Sequence, residues 1–309
     1  KLPALSETDI KDIEFGISQN MDWIAASFIQ RGSDVVSIRK VLEKHSSSMK
    51  IMSKVESRTA IDNIDDIIRM SDGVMVARGD LGVEVPAEEV PVLQKMVIRK
   101  CQQAGKPVVT ATQMLESMMN NPRPTRAETS DIANAILDGT DGIMLSGETA
   151  GGMYPVEAVE TMARVAVYTE SQFDPVTHQD TGKDVLSTTE AIGRATVRIA
   201  ESLGAAAIIA STEGGNTAQM ISKYRPKSPI IAVSPHENIV RRLQVNWGVQ
   251  AITGEGGETS DDVVENAVSA ALEHNLIKGG DLVVLTAGVP ASTSGTTNMI
   301  RVRLVADVL

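Results

Sequence analysis

Gly73-Val-Met-Val-Ala-Arg-Gly-Asp80 decides the fold. An apolar run of strand length passes straight into a cation, a glycine and a carboxylate. Four more stretches repeat the design: Trp23-Ile-Ala-Ala-Ser-Phe28, Ile51-Met-Ser-Lys-Val-Glu56, Pro107-Val-Val-Thr-Ala-Thr-Gln113 and Gly142-Ile-Met-Leu-Ser-Gly-Glu-Thr149. Continuous apolar runs are what strands buried on both faces require, and such strands belong to parallel sheets. The stretches between them carry helical spacing. Leu5, Ile10, Ile13 and Ile17 share one face. Val35, Ile38 and Val41 or Leu42 share another, in a helix that Ser33 is placed to cap. Ile61, Ile64, Ile67 and Ile68 predict a helix over 59–70. Val90, Leu93, Val97 and Cys101 predict one over 87–104, with Glu88 and Glu89 where the helix dipole favours acids. Further helices are expected over 129–138, closed by Gly139, and from Pro155 onward.

In parallel α/β sheets, chemistry collects at the C-terminal ends of the strands. Those ends carry Lys54, Glu56, Arg78, Asp80, Thr112 and Glu148. Cations beside carboxylates and a hydroxyl point to a metal-assisted site for an anionic substrate. Lys54 and Glu56 are two apart and therefore share a strand face. By spacing alone, Glu56 and Asp80 are equally readable as two solvated carboxylates, and Lys54 as a plain ion-pair partner. Arg78-Gly79-Asp80 opens a helix whose backbone N–H groups favour a carboxylate ligand.

The polar stretch 171–186 reads as a linker between domains 1–170 and 187–309. Ser187-Thr-Thr-Glu190 has the pattern of a capping box. Strands are expected near 205–210, 229–234, 248–253, 281–287 and 300–306, with helices over 216–224, 236–247 and 259–276. The last two strands are joined only by a loop and should pair antiparallel. Ser211-Thr-Glu-Gly-Gly-Asn-Thr217, rich in hydroxyls and glycine between strand and helix, reads either as a phosphate cradle or as a simple turn.

Composition narrows the function. A formal net charge of −11 is a poor match to nucleic acid or an anionic membrane. A single cysteine, Cys101, allows no disulfide within the chain and fits a reducing cytoplasm. No apolar run reaches the ~18 residues of a membrane span. The four histidines, His45, His178, His236 and His274, show neither zinc spacing nor a triad. Aromatic residues are only 3%, so Ile, Val, Leu, Met and Ala must fill the cores.

Five strands cannot close a parallel α/β barrel, which needs eight, so the first unit reads either as an open sheet or as a barrel short of three strands. The ordered strings Lys54-Val-Glu56, Met75-Val-Ala-Arg-Gly-Asp-Leu-Gly82, Ala111-Thr-Gln-Met-Leu-Glu-Ser117, Asn121-Pro-Arg-Pro-Thr-Arg-Ala-Glu128, Leu145-Ser-Gly-Glu-Thr149, Ser222-Lys-Tyr-Arg-Pro226 and Gly295-Thr-Thr-Asn298 together resemble pyruvate kinase. The resemblance implies an incomplete (β/α)8 barrel with five of its eight strands, the lid domain and first barrel strands being absent. A smaller open α/β regulatory domain follows. The implied activity is phosphoryl transfer from phosphoenolpyruvate to ADP in glycolysis, a phosphotransferase reaction for which this chain holds half the site.

By the same resemblance Glu56 and Asp80 are the ligands of Mg²⁺ (or Mn²⁺), and Lys54 stabilises charge on the transferring phosphoryl group and the enolate. Thr112 lies by the enolate carbon, where it is implicated in proton delivery. Ala77, Arg78, Gly79, Asp80 and Thr112 contact substrate. K⁺ is implied, with ligands outside this chain. Ser211, Thr212, Glu213, Gly214, Gly215, Asn216 and Thr217 hold an activator's phosphate, helped by the loop 291–297. Glu213 favours a phosphosugar monoester or nucleotide monophosphate over a bisphosphate, since a carboxylate repels phosphate. A cytoplasmic homotetramer is implied; Arg123 and Arg126 suit loop or subunit contacts, and Ser27 and Ser146–Glu148 suit support of the site. Two alternatives remain open at this point: a Mg²⁺-dependent enolate lyase or aldolase on a similar barrel, and a non-catalytic phosphosugar-binding piece.

Overall fold

A computed structural model describes residues 5–172, 186–257, 259–288 and 297–306. The chain divides into two compact units, 1–173 and 174–309.

Unit 1 begins with α1 (Glu7–Ser18), β1 (Trp23–Ala26), α2 (Gly32–Lys44), β2 (Lys50–Val55), α3 (Arg58–Asp62), α4 (Ile64–Met70) and β3 (Gly73–Ala77). It continues with α5 (Arg78–Glu84), α6 (Val90–Ala104), β4 (Val108–Ala111), a 3-10 turn at Glu116–Met119, α7 (Arg126–Leu137), β5 (Gly142–Met144), α8 (Gly147–Ala150) and α9 (Pro155–Gln172). The sheet order is β1-β2-β3-β4-β5, parallel throughout. The strands are laid down in chain order without reversal. Right-handed crossovers then put every connecting helix on one side, which is the winding of a barrel. A core of Ile38, Leu42, Ile51, Ile67, Val74, Val76, Leu81 and Ile98 joins strands to helices. Met114, Leu115, Met118 and Ile132 form a second cluster near α7 and α9.

Local chemistry moves several helix boundaries. Ser33 lies inside α2 and does not cap it. The cap residue is Arg31, and the Asp34 carboxylate accepts from the N–H groups of Gln30 (2.9 Å) and Arg31 (3.0 Å). The helix expected over 59–70 is broken at Asn63, whose side-chain amide donates to Thr59 O and Gln30 O and so competes with the helix ladder. α6 starts at Val90, so Glu88 and Glu89 precede it, and Glu89 pairs with Arg58. α7 starts at Arg126 because Thr125 and Glu128 form a reciprocal cap. Gly139 follows its end with φ +88°. α9 runs to Gln172, two residues into the stretch read as linker; 173–185 lie outside the described residues.

Unit 2 comprises α10 (Thr188–Leu203), β6 (Ala207–Ser211), α11 (Asn216–Ser222), β7 (Ile230–Ser234), α12 (Glu237–Leu243), β8 (Val249–Thr253), α13 (Ser260–Glu273), β9 (Leu282–Ala287) and β10 (Met299–Leu304). The order is β10-β9-β6-β7-β8. Only β10 is antiparallel, paired with β9 from Met299↔Ala287 to Leu304↔Leu282. Here the winding reverses. From β6 the chain moves outward to β7 and β8, then returns to place β9 on β6's other side. Helices therefore cover both faces, with one core around Ile231, Val264 and Leu285 and another around Ile208, Ile221 and Val284.

Candidate active site and effector loop

At the C-terminal rim of unit 1, Lys54 and Glu56 meet. Lys54 Nζ lies 2.6 Å from Glu56 Oε1 and donates to Ser27 Oγ at 2.8 Å. Register explains the second contact: Ala26 pairs with Ser53, so Ser27 stands beside Lys54. Glu56 is 5% exposed, and its Oε2 accepts the N–H of Phe28 at 2.7 Å. A buried carboxylate without such partners would carry a large desolvation cost.

One strand further on, Arg78 is 7% exposed at the start of α5. Its Nη1 donates to both Asp131 carboxylate oxygens at 2.7 Å, and its Nη2 donates to the carbonyl of Thr112 at 2.6 Å. Gly79 N–H donates to Thr112 Oγ1 at 2.8 Å, and that hydroxyl donates to Ala111 O at 2.6 Å. A Cβ on Gly79 would sit 3.4 Å from Thr112 Oγ1, so the glycine allows a close approach. Thr112 and Gln113 both have left-handed backbones, φ +71° and +56°. That region is costly for a β-branched residue and persists only where surroundings enforce it. Here Arg78 grips the carbonyl and Gly79 grips the hydroxyl. Arg78 is thus committed to Asp131 and Thr112, and one N–H of the helix start is already used. Ala77 is buried and precedes α5, so it offers backbone alone.

Asp80, in the first turn of α5, is exposed and has no hydrogen bond or ion pair among the described residues. Among those residues, no group of three or more His, Cys, Asp or Glu side chains is placed to hold a metal. Glu56 and Asp80 are two hard-oxygen donors, at the ends of neighbouring strands β2 and β3. Each Glu56 oxygen has one donor and keeps a further lone pair. Such a pair fits Mg²⁺, which takes one or two carboxylates and fills its shell with water and substrate oxygens.

The loops beyond are stapled by carboxylates. Glu148, 2% exposed, accepts from Leu115 N–H (3.0 Å) and Ser146 N–H (2.8 Å), joining the loops after β4 and β5. Burial pushes the Glu128 carboxyl up, but the hydroxyls and N–H groups of Ser117 and Thr125 outweigh it and hold it below its ordinary value. Arg123 and Arg126 are exposed.

In unit 2, Ser211–Thr217 follows β6, where the winding reverses between β6 and β9. Open α/β sheets bind ligands at that kind of position. Thr212 Oγ1 accepts from Gly215 N–H at 3.0 Å, and Gly215 has φ +88°. Thr217 Oγ1 lies 2.9 Å from Thr297 Oγ1, and Thr297 N–H reaches Thr189 Oγ1 at 3.4 Å. Gly214 and Asn216 are exposed, and Ser211 is half-buried. The Glu213 carboxylate is 3.0 Å from His236 Nε2. Residues 291–296 of the adjoining loop lie outside the described residues.

Sequence reasoning missed Asp131, Phe28 and His236. Asp131 is one acid within a helix, Phe28 reads as the end of a strand, and His236 was set aside for lack of metal spacing. His45 pairs with Glu14 and His274 Nδ1 contacts Ala270 O; His178 lies outside the described residues. For Phe28 and Thr112 the informative signal is backbone conformation, which composition does not carry. Among the described residues, no helix is long and apolar enough to cross a membrane.

The family model for the pyruvate kinase barrel domain matches residues 1–159, and that for the pyruvate kinase alpha/beta domain matches 190–303. Pyruvate kinase of Geobacillus stearothermophilus is 52% identical over all of this chain, which covers 53% of that protein. Pyruvate kinase of Clostridium acetobutylicum is 51% identical over 99% of this chain and 65% of its own length. The crystal structure of a pyruvate kinase from Cryptosporidium parvum matches with a TM-score of 0.92 at 42% identity, over 98% of this chain and 62% of that one. The chain thus spans about half the length of the first of these curated relatives. With two family models in register on its two units and this likeness to solved and curated members, the chain belongs to the pyruvate kinase family, and its first unit is a partial barrel.

Proposed function

We propose that unit 1 supplies the later half of a site that moves the phosphoryl group of phosphoenolpyruvate to ADP, giving pyruvate and ATP. The observation that carries this reading is the Lys54 ammonium, held between Glu56 and Ser27 at the strand ends, with Asp80 exposed in the first turn of the helix that follows the neighbouring strand. Phosphoryl transfer depends on positioning and on compensating charge more than on covalent help from the protein. Lys54 presents a cation whose carboxylate partner fixes its place, aimed at negative charge on the phosphoryl group and on the enolate oxygen. Glu56 and Asp80 would hold Mg²⁺ or Mn²⁺. When bound, that ion would neutralise phosphate charge and orient the substrates. Unused N–H groups at the start of α5 favour the substrate carboxylate. The Thr112 hydroxyl, which accepts from Gly79 N–H, would pass a proton to the enolate carbon, directly or through water, once its hydrogen turns away from Ala111 O. K⁺ and the remaining phosphate contacts would come from segments outside this chain.

Alone, residues 1–309 are expected to show negligible pyruvate production in an assay coupled to lactate dehydrogenase; a substantial rate would refute the half-site reading. Weak binding of phosphoenolpyruvate, read by saturation-transfer NMR, should require Mg²⁺ and disappear in Glu56→Gln. Signal that is indifferent to both would remove the assigned roles.

For unit 2, the reading is an effector site at Ser211–Thr217 for a phosphosugar monoester or nucleotide monophosphate. It is supported by the reversal point of the sheet and the hydroxyls of Thr212 and Thr217. Tight binding of fructose 1,6-bisphosphate by calorimetry, abolished by changes in this loop, would overturn the preference for a single phosphate. A linker beginning after α9 and running to 186, a cytoplasmic location and a homotetramer built on barrel and C-terminal faces complete the proposal.

A further inference from the structure

Phe28 is an anomaly. It is 83% exposed, although apolar, and its backbone is left-handed at φ +58°. An aromatic residue gains nothing locally from that conformation, which suits Gly and Asn. What the conformation delivers is the Phe28 N–H, 2.7 Å from Glu56 Oε2. Ser27, the preceding residue, accepts from Lys54, whose ammonium holds the other Glu56 oxygen at 2.6 Å. The single turn at the end of β1 therefore fixes both the acid and the base of the rim. With one oxygen taken by an ammonium and the other by an N–H, the Glu56 carboxylate cannot rotate about its last bond without losing a partner.

We propose that Phe28 is a positioning residue for Glu56: its left-handed backbone aims the N–H that sets which lone pairs of the carboxylate face the rim. The inference rests on the reading of Glu56 as a ligand of a divalent ion. Outer partners of this kind orient a metal-binding carboxylate, and their loss commonly weakens metal affinity ten- to a hundredfold. The role belongs to the backbone, so it separates from any role of the aromatic ring. Phe28→Asn and Phe28→Gly keep access to the left-handed region and lose the ring. Phe28→Val disfavours that region strongly, because its β-branch crowds the backbone, and Phe28→Ala does so more mildly.

The test is Mn²⁺ titration of the 309-residue chain, with free ion read by electron paramagnetic resonance and folding checked by circular dichroism. Affinity should stay within about twofold of the parent for Asn and Gly. It should fall about tenfold for Val and by an intermediate factor for Ala. Phe28→Ala serves if Phe28→Val does not fold. Glu56→Gln is the control. If it leaves Mn²⁺ affinity unchanged, the ligand reading falls and this inference with it. If it weakens binding while Val and Ala match the parent, the inference alone is overturned. Equal loss in Asn, Gly and Val would assign the effect to the ring and overturn the backbone role.

Discussion

Removing Asp131 should expose how much the Arg78 clamp contributes. Arg78 is 7% exposed, its Nε has no hydrogen-bond partner, and its Nη1 makes two contacts of 2.7 Å to Asp131 and a longer one of 3.5 Å to Gln94 Oε1. Opposite charges about 4 Å apart attract by about 4 kcal/mol at an effective dielectric near 20. The Asp131 side chain is 35% exposed, so water screens part of this. Asp131→Ala also strands a cation that has already lost its hydration. Together these set the loss at about 2–3 kcal/mol, below the 3–5 typical of a fully buried pair. Arg78→Met keeps the aliphatic stem, removes the stranded charge and frees the Thr112 carbonyl, at an expected cost of about 1–2 kcal/mol.

The two changes share one interaction, so the double variant should be about 1.5 kcal/mol less destabilised than the sum of the single variants. Urea unfolding followed by Trp23 fluorescence reads this in unit 1. A Trp247→Phe background silences the other tryptophan, which lies in unit 2. Additive costs, or an Asp131→Ala loss below about 0.5 kcal/mol, would refute the clamp and leave the strained Thr112 without its enforcer.

Three other outcomes follow from the structure. Gly139→Ala should destabilise unit 1 by about 1–2 kcal/mol in the same unfolding assay. Its φ is +88°, a backbone region strained for any residue with a Cβ, and the Gln102 side-chain amide would have to move aside; unchanged stability would contradict this. Cys101 is fully buried and burial pushes its thiol well above the ordinary value, so Ellman's reagent should label it only on unfolding. Rapid labelling of the folded chain would refute this. Burial pushes the Glu190 carboxyl up, but the Ser187 N–H and Lys223 outweigh it and bring it to about 2. A folded value below the unfolded one, about 4.3, gives stability that is present above pH ~4.3 and lost as pH falls toward 2. Trp247 fluorescence should show unit 2 weakening across that window, with a shallower slope in Glu190→Gln; identical slopes would remove Glu190 from the account.

Much was legible in the chain itself. Continuous runs such as Gly73–Ala77 can be buried on both faces only in a parallel sheet, and Lys54 and Glu56 must share a strand face because strand side chains alternate. The capping box at Ser187–Glu190 and the pairing of the last two strands followed from local rules for the same reason: each depends on residues close in sequence. Ser33 and the break at Asn63 were misread because side chains there compete for backbone groups across several residues, a contest that periodicity does not record.

Tertiary structure alone decided the rest. It brought Asp131, 53 residues away in sequence, onto Arg78 and set Arg78 as a clamp on the Thr112 carbonyl. It drove Phe28, Thr112 and Gln113 into left-handed backbone and set His236 against Glu213. The division has a physical cause. Periodicity and spacing fix which face a residue occupies, because covalent geometry repeats. The left-handed backbone at Phe28 and Thr112 and the Arg78–Asp131 pair arise where separate segments of the chain are packed together, and that packing energy belongs to the assembled fold.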